Sequence, residues 1–266
     1  MIAGLAVSTK GLVKRYGKRR ALDGFTLDVP RGCVMGLVGP NGAGKTTWMM
    51  AVAGLARIEA GTVGLFGTSH PFTAALHSGR LAILPQDSEL PLESTPEGFL
   101  LGLARLQGLS ADAARASAKE ALEAVNLADR AKASVRSLSH GMRKRLMAAQ
   151  CFLGEPELIL LDEPMNGLDP EETVRLRTLI LARREECTVV VSSHNLADLE
   201  KFCTHIAFVR DGKVEKTAAL RDLTADGSSL EDRYLTQFAP SHGAAPYNKD
   251  AVMRCGDERC AEATHC

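Results

Sequence analysis

The chain carries no net charge: 32 basic groups balance 32 acidic ones over 266 residues. A nucleic-acid binder usually shows a basic excess, so the balance argues against one. No run of 18 or more apolar residues is free of charges and helix breakers, so no membrane-spanning helix is expected. Met1 to Thr9 is mildly apolar but carries no basic stretch, which argues against a secretory leader. No two cysteines stand as Cys-x-x-Cys, and their number, seven, is odd. Cys33, Cys151, Cys187 and Cys203 are scattered singly among apolar residues. That is the pattern of buried thiols in a reducing compartment, not of a disulfide framework. Cys255, Cys260 and Cys266 crowd the C-terminus with His265, but their spacing matches no zinc pattern. There is no internal repeat and no long heptad run.

What is present is an ordinary globular composition, 45% hydrophobic and 24% charged, at a length that suggests roughly one to two domains. Residues 6–29 read as extended segments broken at Gly17 and Gly24. Cys33 to Val38 is a short apolar run feeding glycine-rich sequence, the signature of a buried strand entering a loop. Thr46 to Leu55 then has helical periodicity. Leu81 to Leu84 is a further short strand, stopped by Pro85. Between about 87 and 153 alanine, leucine, arginine and glutamate dominate, and strand signals vanish. Thr95-Pro96-Glu97 opens a helix there, with a capping hydroxyl, proline in the first turn and an acid at the positive end of the dipole.

Strand signals return at Leu158 to Leu161 and at Thr188 to Val191. Asp169-Pro170-Glu171-Glu172 opens a helix that carries Leu176, Leu179 and Ile180 on one face. Ile206 to Val209 and Lys213 to Lys216 flank Asp211-Gly212, a hairpin turn. Strands alternating with helices predict an α/β fold with a mostly parallel sheet, interrupted by a helical insert. From Ala239 onward proline, serine, glycine and charge replace periodicity, so 239–266 reads as a tail.

Gly39-Pro40-Asn41-Gly42-Ala43-Gly44-Lys45-Thr46 matches G-x-x-x-x-G-K-[ST] at every fixed position, with a strand before it and a helix after. Glycines let backbone N–H groups turn toward an anion, and the helix start adds its positive end. Lys45 would reach the outer phosphates, and the Thr46 hydroxyl would ligate Mg²⁺. The strand Leu158 to Leu161 ends in Asp162-Glu163. Strand side chains alternate in direction, which separates the two acids: Asp162 for a metal, Glu163 for an attacking water as general base. His194 closes the next strand, bringing an imidazole to the sheet edge where ligands gather in open α/β folds.

With these residues in this order, the chain resembles the nucleotide-binding subunit of ABC transporters over about residues 5–238. The motifs are Gly39 to Thr46 (Walker A), Gln86 (Q-loop), Leu138-Ser139-His140-Gly141-Met142 (signature), Asp162-Glu163 (Walker B), Asn166 to Asp169 (D-loop) and His194 (switch histidine). Tyr16 matches the aromatic that stacks on adenine. The resemblance implies an ABC ATPase fold: a P-loop NTPase core, an antiparallel β subdomain and a helical subdomain over about 87–153, all within 1–238. It implies ATP and Mg²⁺ as ligands, with Tyr16, residues 39–46, Thr47, Ser139 and Gly141 binding nucleotide. It further implies that Thr46, Gln86 and Asp162 hold the metal, and that Glu163, His194 and Gln86 serve catalysis. The partners it implies are a second ATP-binding subunit, identical or paralogous, and a separate permease, with the chain peripheral on the cytoplasmic face of the membrane. The signature departs from the family's LSGGQ at His140 and Met142, and Ser-x-Gly-Met resembles the ABC-2-type export branch.

Two other readings remain, and a third is dismissed. A single-cassette ATPase that drives complex assembly would share every motif. A degraded regulatory cassette would explain His140 and Met142, though Glu163 and His194 speak against it. A GTPase switch would need Asn-Lys-x-Asp, and Asn248-Lys249-Asp250-Ala251 lacks the final acid. Trp48, Met49 and Met50 read as core packing. Lys14, Arg15, Lys18, Arg19 and Arg20 read as a solvated strand-turn surface.

Overall fold

In the computed structural model, described over residues 4–67, 79–86, 88–184 and 187–238, two sheets and a helical subdomain pack together. Strands β1 (Leu5–Tyr16), β2 (Arg19–Pro30) and β4 (Ala60–Leu65) form an antiparallel sheet in the order β2-β1-β4. The hairpin joining β1 to β2 turns at Gly17, whose φ of 60° favours glycine. Gly24 does not break β2 as its sequence suggests. It sits at φ 80°, where the register slips from Leu12↔Phe25 to Val13↔Asp23, so the glycine serves a bulge inside one strand.

The larger sheet has the order β5-β6-β7-β3-β8-β9. Its strands are β3 (Val34–Val38), β5 (Leu81–Leu84), β6 (Leu158–Asp162), β7 (Thr188–Ser193), β8 (His205–Arg210) and β9 (Lys213–Ala219). All pairings are parallel except β8–β9, the expected hairpin at Asp211-Gly212. Every residue of β3, β6 and β7 is buried, as a parallel strand covered on both faces requires. Alternation then sorts the side chains between two cores. Met35, Leu37, Leu158, Leu160 and Val190 pack with Trp48 and the antiparallel sheet. Val34, Val38, Ile159, Leu161, Val189 and Val191 pack with Leu176 and Ile180 on the opposite face.

Helix α1 (Lys45–Val52) follows β3 through the glycine loop, one residue earlier than the sequence suggests and ending before Gly54. Trp48 and Met49 are fully buried on it, Met50 only partly. The helical subdomain contains α2 (Pro96–Leu106), α3 (Ala111–Ala124) and α4 (His140–Ala149). Thr95 caps α2, accepting the Gly98 N–H at 3.0 Å. Ala104, Ala114, Ala118 and Ala121 let α2 and α3 approach closely around Leu100, Leu122 and Leu146. Helix α5 (Pro170–Arg183) starts at its predicted cap, Asp169, and buries Leu176 and Ile180, with Leu179 partly covered. Short helices α6 (Leu196–Glu200) and α7 (Leu220–Leu223) and the last helix, α8 (Leu230–Phe238), complete the described chain. Among the described residues no helix is long and apolar enough to cross a membrane. Cys33, Cys151, Cys187 and Cys203 are buried free thiols. The tail with Cys255, Cys260, His265 and Cys266 lies outside the described residues.

Candidate active site

The site is built at the C-terminal ends of β3, β6 and β7. The strand order places β7 between β3 and β6, and the phosphate-loop sequence leaves β3 into α1. The loop depends on its glycines. Gly42 and Gly44 have φ of 80° and 112°. A Cβ on Gly44 would lie 2.6 Å from the Ala21 carbonyl, and one on Gly39 would run into the Val209 carbonyl. The β8–β9 turn braces the loop from below: Gly212 N–H donates to the Ala43 carbonyl at 2.9 Å, and its own carbonyl accepts Asp23 N–H at 2.9 Å.

Lys45 is buried at the mouth of α1. Its Nζ donates to the Gly39 carbonyl at 2.7 Å and the Pro40 carbonyl at 3.3 Å, and stands 4.0 Å from Glu163 Oε1. Burial pulls the ammonium below the ordinary lysine range, and the charges of Glu163 and Asp162 oppose that shift.

Asp162 is the last residue of β6, paired in register with Ser192 of β7. The Ser192 hydroxyl does two jobs. It donates to Asp162 Oδ1 at 2.5 Å and accepts the Glu163 N–H at 2.8 Å. Glu163 has left the strand at φ 49°, an unusual conformation for a side chain with a Cβ. The two carboxylates are therefore separated by a left-handed step out of the strand, not by strand alternation as the sequence suggests. His194 Nδ1 lies 2.9 Å from Glu163 Oε2, and the ring is largely exposed. Asp162 Oδ2 and Glu163 Oε1 are buried and have no hydrogen-bond partner among the described residues. Unpartnered buried carboxylate oxygens are costly, so these two are poised for a ligand.

Tyr16, Asn41, Gly42, Gly44, Lys45, Thr46, Thr47, Gln86, Asp162 and Glu163 line one cleft of about 400 Å³. The cleft also takes in Arg19 and Ala21, which sequence reasoning left aside. A lining that combines an aromatic ring, basic groups and two carboxylates suits a base, a phosphate chain and a hard cation. Among the described residues no three His, Cys, Asp or Glu gather into a metal site of their own. The oxygens on hand, from Asp162, Thr46 and Gln86, are of the hard type that Mg²⁺ takes together with phosphates and waters.

Ser139, His140, Gly141 and Met142 do not line this cleft. Ser139 is exposed and caps α4, its hydroxyl accepting the Met142 N–H at 3.2 Å. Met142 turns its side chain against the helical core, which gives an apolar residue a packing role at this position. At Gly141 a Cβ would collide with the Glu172 carboxylate, which pairs with Arg145 at 3.4 Å. Lys144 Nζ donates to the Asn166 carbonyl, so α4 is tied to the loop that carries Asn166 to Asp169.

Comparison with known proteins follows the same lines. A family model described as "ABC transporter" matches residues 22–166. The Nod factor export ATP-binding protein I of Burkholderia orbicola (strain AU 1054) is 36% identical over 211 residues, 78% of this chain and 68% of that protein. The daunorubicin resistance ATP-binding protein DrrA3 of Streptomyces coeruleorubidus is 36% identical over 248 residues, 92% of this chain and 78% of its own. A solved structure of the ATP-binding subunit of an ABC transporter superposes with a TM-score of 0.78 at 28% identity, covering 88% of this chain and 99% of that one.

Proposed function

The chain belongs to the ABC transporter family of ATP-binding proteins and is an ATPase, and from that premise we propose that it works as one half of a paired engine driving a separate export permease. One observation carries the pairing. Ser139 stands exposed at the start of α4, outside the cleft that holds Tyr16, Lys45 and Glu163. A second copy or a close paralogue, arranged head to tail, would bring its Ser139 hydroxyl and α4 N-terminus to the outer phosphate of the ATP in this cleft. ATP then holds the pair together, and hydrolysis releases it.

Within each cleft Tyr16 stacks on the base, and the loop N–H groups of 39–46 with Lys45 hold the phosphates. Thr46, Asp162 and Gln86 are the residues to hold Mg²⁺, which when bound neutralises charge building on the phosphoryl oxygens. Glu163 takes the proton from the attacking water through Oε1, and His194 fixes the carboxylate from its other oxygen. Ser192 keeps the backbone of Glu163 and the carboxylate of Asp162 in register. Catalysis on this plan is positioning plus electrostatics.

The relatives named for Nod factor export and daunorubicin resistance support an export role over complex assembly. The exposed Leu92 and Leu106 of the helical subdomain, the latter 80% exposed, offer apolar contact for the permease, with Gln86 linking that subdomain to the cleft. On this reading the chain sits peripherally at the cytoplasmic face of the membrane. The direct test is Glu163→Gln. Removing the base should lower ATP turnover by roughly 10²-fold or more and leave ATP-bound pairs that persist on size exclusion. Undiminished turnover, or a variant that stays single at saturating MgATP, overturns the assignment.

A further inference from the structure

Arg19 belongs to a run of five basic residues that sequence reasoning treats as a solvated surface. The structure divides that run. Lys14 lies over the Tyr16 ring, 5.0 Å from its centroid. Arg15 pairs with Glu59 at 3.4 Å, and Arg20 with Asp23 at 2.6 Å. Arg19 has no carboxylate partner among the described residues and turns to the phosphate loop, where Nη2 donates to the Gly42 carbonyl at 2.6 Å. The guanidinium covers that glycine so closely that a Cβ on Gly42 would collide with it.

The hairpin explains the placement. Tyr16 and Arg19 are the closing pair of β1 and β2, directly opposite each other in register. Cross-strand partners project to the same face. The hairpin end therefore presents an aromatic ring and a guanidinium side by side, both on the cleft. One neighbour suits a base and the other reaches the loop that suits phosphates. An uncompensated planar cation between them matches the anionic part of the same ligand.

We propose that Arg19 is a nucleotide ligand of this chain: its guanidinium binds the phosphate chain of the nucleotide whose base rests on Tyr16. This deepens the reading above and rests on it. The Gly42 carbonyl holds the guanidinium at the cleft edge, so little reorganisation precedes contact. The residue acts on binding of the nucleotide, apart from Glu163 and His194, to which the reading above assigns hydrolysis.

The test is titration calorimetry of the full chain with MgATP, MgADP and adenosine for the unaltered protein, Arg19→Gln and Arg19→Lys. Arg19→Gln is expected to weaken MgATP and MgADP by about 10- to 150-fold, the range of one charge-assisted contact, and to leave adenosine within twofold. Arg19→Lys should recover part of that loss. Added salt should weaken MgATP binding less steeply in Arg19→Gln than in the unaltered protein. Equal affinities in Arg19→Gln and the unaltered chain overturn the proposal. So does an equal loss for adenosine and MgATP, which marks a structural role at the hairpin. Failure of the unaltered protein to bind MgATP sinks the underlying reading instead.

Discussion

At the scale of single residues, Ser192 is the least conspicuous part of the site and among the most consequential. Among the described residues its hydroxyl is the only side-chain group that bonds both Asp162 and the Glu163 backbone. Ser192→Ala leaves a buried N–H and a buried carboxylate oxygen each short of a partner. The expected cost is about 1–3 kcal/mol in denaturant unfolding, with turnover lowered by roughly tenfold or more as Glu163 loses its backbone anchor. A variant within twofold of the parent in turnover would show that Glu163 is held by other means. The buried thiols make a second prediction at this scale. Burial pushes Cys33 and Cys151 from 9.0 up to about 12, and raises Cys203 as well. An unfolded chain releases these protons near pH 9, whereas the folded chain keeps them, so the folded state binds more protons above that pH. Stability from this source is intact below pH 9 and is lost as pH climbs toward 12. Denaturation midpoints measured across that window should fall, and Cys151→Ala should flatten the slope while lowering stability at neutral pH. A slope unchanged by Cys151→Ala would assign the alkaline loss to other groups.

At the scale of elements, what the sequence reveals follows from how local each cause is. The phosphate loop, the Thr95 and Asp169 caps and the Asp211-Gly212 turn are set by residues within a few positions, and the structure has each of them. Gly24 misleads because a bulge and a strand end both use a left-handed glycine, and only the partner strand decides between them. The strand order, the bond from Ser192 to Asp162 and the reach of Arg19 to Gly42 depend on pairings across tens of residues, for which single-sequence periodicity carries no signal. The β8–β9 hairpin shows the same limit. Its turn is legible, but its service to the phosphate loop is not. Gly212 sits at φ 73°, with the Ala21 carbonyl 2.9 Å and Asp23 N 3.0 Å from where a Cβ would stand. Gly212→Ala must move the turn away from Ala43 and loosen the loop above it. MgATP affinity should fall several-fold, and amide exchange should quicken across 39–46 while α2 and α3 keep their protection. Unchanged exchange in the loop would mean that the hairpin does not brace it.

At the scale of the molecule, the proposed division of labour between two faces of one chain leads to a complementation experiment. Lys45 and Glu163 belong to the cleft, whereas Ser139 opens a helix in another subdomain. Lys45→Ala should disable every cleft it occupies, and Ser139→Arg should block every neighbouring cleft it faces, so each variant alone is inactive. In a mixed pair, one site combines both defects, and the other combines an intact Lys45 with an intact Ser139. Random exchange makes half of the pairs mixed, each with one working site. Mixing two dead preparations in equal amounts should then restore activity to about one quarter of the parental rate if sites act independently. Proteins acting alone, with Ser139 serving its own chain, give no recovery at any mixing ratio. Recovery should also rise with total concentration, because pairing is second order, whereas an activity carried by a contaminating ATPase would scale in simple proportion to the preparation added. Helix α4 is tied to α5 by the Arg145–Glu172 pair and to the loop before α5 by Lys144 and the Asn166 carbonyl. On the proposed pairing, an exposed Ser139 that lies outside its own cleft is what would make the loss in one chain repairable by another.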